Sequence, residues 1–187
     1  VWKKKNNNNN TYMKYLKLFF IMIAMILSSC SSNRNLPLET VGNVDLTKYS
    51  GRWYEIARYP VRFEKGCRCV TAQYALSPKG HVIVTNRCLR ANGTWSSIRG
   101  KAFTVKNSGN AKLKVQFFWP FRGNYWIIDL ADDYSYAVVS APGRKYLWIL
   151  SRTKTISPDV YDSIMEKLSA KGFDLIKPEK TDQTCAE

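Results

Sequence analysis

Between residues 52 and 151 apolar and polar positions alternate with a period of two, the signature of strands with one buried face. Across 112–119, Leu113, Val115, Phe117 and Trp119 fall on one side and Lys112, Lys114 and Gln116 on the other. Val70, Ala72, Tyr74 and Leu76 likewise alternate with Cys69, Thr71, Gln73 and Ala75. The pattern predicts eight strands, at 52–59, 69–76, 81–88, 95–104, 112–119, 124–130, 136–141 and 145–151. Turn signals separate them, among them Ser77-Pro78-Lys79-Gly80, Ala91-Asn92-Gly93 and Pro142-Gly143-Arg144. Connections this short force antiparallel neighbours, because a parallel pair needs a crossover of a dozen or more residues.

One helix follows, in SPDVYDSIMEKLSAKG: Ser157 is its N-cap, Pro158 its first position, Asp159 lies in the first turn and Gly172 stops it. Val160, Ile164 and Leu168 form one apolar stripe. A single helix cannot cover the apolar face of an eight-stranded sheet, so the sheet closes on itself. The fold class predicted is all-β: an eight-stranded up-and-down antiparallel barrel with one C-terminal α-helix packed outside. Eight strands enclose room for side chains or one small ligand.

The segment before the barrel has a different pattern. Lys14 and Lys17 precede an apolar run, Leu18 to Leu27, too short to cross a bilayer and shaped like a signal peptide. Its end, Leu27-Ser28-Ser29-Cys30, resembles the bacterial lipobox, which implies lipidation of Cys30, and Ser31 after it implies the outer membrane. Ordinary secretion, with Cys30 incidental, is the alternative. The chain then divides into 1–12, an upstream extension; 13–29, a lipoprotein signal peptide; 30–48, a lipidated N-terminus and flexible polar tether; and 49–187, the barrel domain.

Charge and cysteines narrow the function. Removing residues 1–29 takes away five lysines and no acid, so the formal charge falls from +15 to +10. The remaining bases are scattered singly through strands, which suits a basic surface near anionic lipid headgroups and argues against nucleic acid as a partner. Beyond Cys30 stand Cys67, Cys69, Cys88 and Cys185, an even number in an oxidising compartment, and disulfides are expected. Three pairings are open; strand parity sets Cys69 and Cys88 on opposite faces, which disfavours joining those two. Metal binding by the Cys67/Cys69 pair is the rival reading, and no metal site is expected. His81, the only histidine, has no nucleophile at an interpretable spacing, and no phosphate loop is present, so no catalytic residue and no cofactor are assigned.

Gly51-Arg52-Trp53-Tyr54 resembles the GxW signature of the lipocalin family, and Leu147-Trp148-Ile149-Leu150-Ser151-Arg152 resembles its last-strand signature ending in Arg. Asp132-Asp133-Tyr134 partly resembles the middle motif. Specifically, the chain is similar to the bacterial outer-membrane lipocalins and their relative apolipoprotein D, from about Val44 to Gly172. The resemblance implies that Gly51, Trp53 and Arg152 close one end of the barrel, with the guanidinium lying across the indole. By strand face and by this resemblance, the ligand contacts are Tyr74, Val84, Val115, Phe117, Tyr125, Ile127, Val139 and Trp148. Glu55 shares the inward parity of Trp53, and Arg99 or Lys101 is the expected partner of its carboxylate, in a structural ion pair or beside a headgroup. Likeness to apolipoprotein D implies a Cys69–Cys185 bridge, leaving Cys67 with Cys88.

The function implied is that of a membrane-tethered carrier, monomeric or weakly dimeric, for a fatty acid or lysophospholipid. A ligand-free surface interaction module and, with a reduced inward Cys88, a thiol-dependent lipid isomerase are the alternatives.

Overall fold

The computed structural model describes residues 37–185. The extension, the signal segment, Cys30 and the start of the tether lie outside the described residues. Among the described residues the strands are β1 (Gly51–Arg58), β2 (Arg68–Leu76), β3 (Val82–Leu89), β4 (Trp95–Thr104), β5 (Lys112–Gln116), β6 (Gly123–Leu130), β7 (Tyr136–Ser140), β8 (Leu147–Ser151) and β9 (Glu179–Lys180). The helices are α1 (Leu46–Tyr49) and α2 (Pro158–Ala170), and a 3₁₀ turn spans Arg62–Glu64. Each strand from β2 to β7 pairs with the next, β8 pairs with β1, and β1 returns to β2, so eight antiparallel strands close into a barrel. β9 adds to β1 as one extra strand outside the ring.

Adjacent residues face opposite ways and fill two separate cores. Ile127, Val139 and Leu150 point inward with Trp53, Tyr74 and Val84. Their neighbours Ile128, Val138 and Ile149 point outward, against Ile164 and Leu168 of α2. The strands beneath the helix are therefore apolar on both faces. Each large aliphatic side chain buried in this way stabilises the fold by roughly 1.5–3 kcal/mol. The Ser157 side chain caps α2 by accepting from Val160 N, and Gly172, at φ +77°, supplies the left-handed residue just beyond its end.

Three expectations from the sequence are corrected. The fifth strand ends at Gln116, not at residue 119, and Trp119, which alternation puts inside, is 86% exposed. Leu76, also assigned to the inner face, is 47% exposed where β2 ends. From residue 38 on, the stretch expected as tether is packed: Leu38 joins the outer core and Val44 the inner one. Val41 N donates to Ile127 O at 3.0 Å and Val44 N to Gly109 O at 2.7 Å. The approach is so close that a Cβ on Gly109 would collide with Gly42 O.

β1 and β2 pair only from Gly51↔Tyr74 to Tyr54↔Thr71. Beyond that point they diverge, and the C-terminal segment fills the gap. Thr181 N donates to Ile56 O at 2.9 Å on one side, and Cys69 N donates to Asp182 O at 2.7 Å on the other. Gln183 Nε2 spans both, donating to Glu55 O at 2.8 Å and to Val70 O at 2.9 Å. A Cys69–Cys185 disulfide fastens the segment, and a second joins Cys67 to Cys88, with Cα atoms 6.1 and 5.5 Å apart respectively.

The barrel cavity

One end of the barrel is shut. α1 lies across it, with the Asp45 side chain accepting from Thr47 N and Lys48 N at its start. Trp53 is fully buried, and its indole donates to Tyr49 O at 2.8 Å. The Arg152 guanidinium sits 3.8 Å from the Trp53 ring centre and donates to Lys48 O at 2.6 Å and Arg52 O at 2.9 Å. Gly51 takes φ +102°, and a Cβ there would lie 3.2 Å from Arg152 Nη1, so glycine leaves the guanidinium its place.

Above this plug lies a cavity of about 570 Å³. Val70, Ala72, Val84, Val115 and Leu150 give it an aliphatic wall, and Phe117 and Trp148 an aromatic one. At its inner end three phenols form a chain: the Tyr125 hydroxyl lies 2.8 Å from those of both Tyr49 and Tyr74. Burial pushes all three phenols up, Tyr74 to about 12, so they stay neutral. Their hydroxyls satisfy one another.

A polar patch interrupts the wall at Glu55 and Glu64. Arg58 serves both, with Nη1 3.1 Å from Glu55 Oε1 and Nε 3.3 Å from Glu64 Oε2. Thr181 Oγ1 also donates to Glu55, and Trp148 Nε1 donates to Glu64 Oε2 at 3.3 Å. Burial, and then the neighbouring charge of Glu64, raise the Glu55 carboxyl to about 7; burial raises Glu64 too. Burial thus favours the protonated form at both carboxyl groups beside the one guanidinium. Asn86 completes the patch, and its Oδ1 is buried with no hydrogen-bond partner. The partner expected for Glu55 is corrected: Arg99 and Lys101 are exposed, because Gly100 and Ala102 take the inward positions of β4. A bulge between Glu55 and Ala57 turns Arg58 toward Glu55 instead.

Of the eight expected contacts, Tyr74, Val84, Val115, Phe117, Tyr125 and Trp148 line the cavity. Ile127 and Val139 are fully buried in the inner core and do not line it. Sequence reasoning missed Tyr49, placed at a domain boundary, and Glu64 and Asn86, which sit in a loop and on a strand face without a chemical motif. Cys88, the thiol kept for an isomerase, is joined to Cys67, and both cysteines of the proposed metal pair are in disulfides. Neither alternative has its free thiolate.

Residues 44–183 match the lipocalin-like domain family. The outer membrane lipoprotein Blc of Escherichia coli K12 is 42% identical over 156 residues, covering 82% of this chain and 88% of that one. Its namesake in Vibrio cholerae is 38% identical over 159 residues, covering 84% and 92%. Apolipoprotein D of Macaca fascicularis is 40% identical over 155 residues, covering 78% and 80%. Among solved structures, insecticyanin from the tobacco hornworm Manduca sexta superimposes with a TM-score of 0.65 at 23% identity, over 78% of this chain and 84% of that one, and shows the shared fold. Like the lipoproteins it resembles, the protein is lipid-anchored at the outer membrane. Its closed barrel, plugged end and matches over most of its length lead to one conclusion: the chain belongs to the lipocalin family, whose members bind lipids and other hydrophobic ligands.

Proposed function

We propose that the protein is an envelope lipid carrier, anchored through acylated Cys30, that takes the single acyl chain of a lysophospholipid or fatty acid into its barrel for transport or storage. The carrying observation is the cavity of about 570 Å³, walled by aliphatic and aromatic side chains and shut by Trp53 and Arg152. Such a volume is of the size that holds small ligands. Each methylene moved from water into it contributes about 0.8 kcal/mol, offset by the cost of immobilising the lipid. The action is binding and release, with no bond made or broken.

The polar patch favours one of the two ligand classes. Glu55, Glu64 and Asn86 present acceptors, and Arg58 is already directed at the two carboxyl groups. A free carboxylate adds negative charge beside two carboxyl groups and has no proton to give the buried Asn86 Oδ1; the hydroxyl or ammonium of a lysophospholipid donates to that oxygen. Titration of delipidated protein with a lysophospholipid and a fatty acid of equal chain length, followed by Trp148 fluorescence, tests the proposal. Saturable binding, tighter for the lysophospholipid, is expected. Silence across both classes overturns the carrier reading. Mass spectrometry of lipid extracted from the natively purified protein identifies the occupant directly.

A further inference from the structure

The hairpin loops at the open end, 59–67, 90–94, 117–122 and 141–146, differ in kind from those at the plugged end. Phe63, Phe118, Trp119, Phe121 and Tyr146 are all exposed there. Phe63, Phe118, Phe121 and Tyr146 also line the cavity, so its apolar wall continues outward onto the surface, with Arg122 and Asn124 beside it at the mouth. Large side chains in a contiguous exposed patch lose nothing by leaving water, and such patches mark binding surfaces.

The charge is equally one-sided. These four loops carry Arg62, Lys65, Arg90, Arg122, Arg144 and Lys145 against one acid, Glu64. That acid is turned into the cavity wall, where Arg58 meets it. The loops of the plugged end mix Asp45, Asp132 and Asp133 with their bases. Exposed aromatics ringed by arginine and lysine match the interface of an anionic bilayer, where Trp and Phe settle at headgroup level and bases meet lipid phosphates. A protein partner with an apolar patch would satisfy the aromatics but not the excess of positive charge.

We propose that the open rim is a membrane-docking surface, on which Phe118, Trp119 and Phe121 enter the headgroup region of an anionic bilayer, Arg62, Lys65 and Arg122 contact its phosphates, and the cavity mouth opens onto lipid. This goes beyond the carrier function, since it assigns the route of loading: a single-chain lipid passes from the leaflet to the cavity along the aromatic wall without crossing water.

The acylated full-length protein is anchored whatever its rim does, so the test reads the position of Trp119. The protein is reconstituted in phosphatidylethanolamine vesicles with and without phosphatidylglycerol, and the emission of a Trp119→Phe variant is subtracted to isolate Trp119. Lipids brominated near the headgroup are expected to quench that signal about twofold in anionic vesicles, and high salt to reverse the effect. Hydrogen exchange on the unaltered protein supplies the second measurement: amides of 117–122 gain protection on anionic vesicles. A Trp119 signal that stays open to aqueous acrylamide and untouched by brominated lipid overturns the proposal. So does shielding from acrylamide that grows with protein density without bromolipid quenching, which means that a second copy covers the rim.

Discussion

The guanidinium of Arg152 and the indole of Trp53 lie 3.8 Å apart, and the arginine also holds the carbonyls of Lys48 and Arg52. One side chain thus ties β1, the end of β8 and the helix α1 across the barrel floor. Arg152→Ala removes the stacked cation and leaves those carbonyls without their donor; a loss of about 1–3 kcal/mol in urea unfolding is expected. Arg152→Lys is expected to recover little, because an ammonium can neither stack flat nor reach two carbonyls in a fork.

Glu55 makes stability depend on pH. Its folded carboxyl is raised to about 7 from an ordinary value of 4.5, so the folded state holds a proton that the unfolded state has released. The stabilisation from that proton is complete below about pH 4.5 and is lost as pH rises through about 7. Unfolding free energy measured from pH 4.5 to 8 should therefore fall with rising pH through this group, and Glu55→Gln should flatten the slope. An unchanged slope in the variant would assign the dependence elsewhere.

Filling the cavity tests its use. Val115→Trp places an indole among Val84, Phe117 and Tyr125, and it should weaken lysophospholipid binding by about tenfold or more by excluding a few methylenes. Thermal unfolding of the variant without ligand reports whether the barrel itself has suffered.

The two disulfides should contribute unequally. Cys69 and Cys185 are 116 residues apart in sequence, Cys67 and Cys88 only 21. On loop-closure grounds, removing the long bridge by Cys185→Ser costs roughly 4–5 kcal/mol and removing the short one about 3 kcal/mol. Urea unfolding of the two single-bridge variants compares them.

The barrel was legible because alternation is a strong signal wherever one face is dry, and the plug was legible because Trp53 and Arg152 stand in recognisable motifs. Alternation misled at its end. Phe117 is apolar because it lines the cavity, Phe118 stands at its exposed mouth and Trp119 on the surface, and nothing in the letters marks the change. The segment 38–48 was hidden for the opposite reason: Glu39, Thr40, Asn43 and Asp45 make it polar on average, while the widely spaced Leu38, Val41 and Val44 do the anchoring. Parity put Glu55 inside, yet its partner depended on a one-residue bulge that only backbone geometry reveals. β9 is two residues long and has no period to detect.

The stitching of β1 to β2 by Thr181, Asp182 and Gln183 joins the two ends of the domain. The first strand in the chain has its neighbourhood completed by the last residues described. Where the first two strands part, the far terminus caulks the slit, so the cylinder's wall is whole only with both ends of the domain in place.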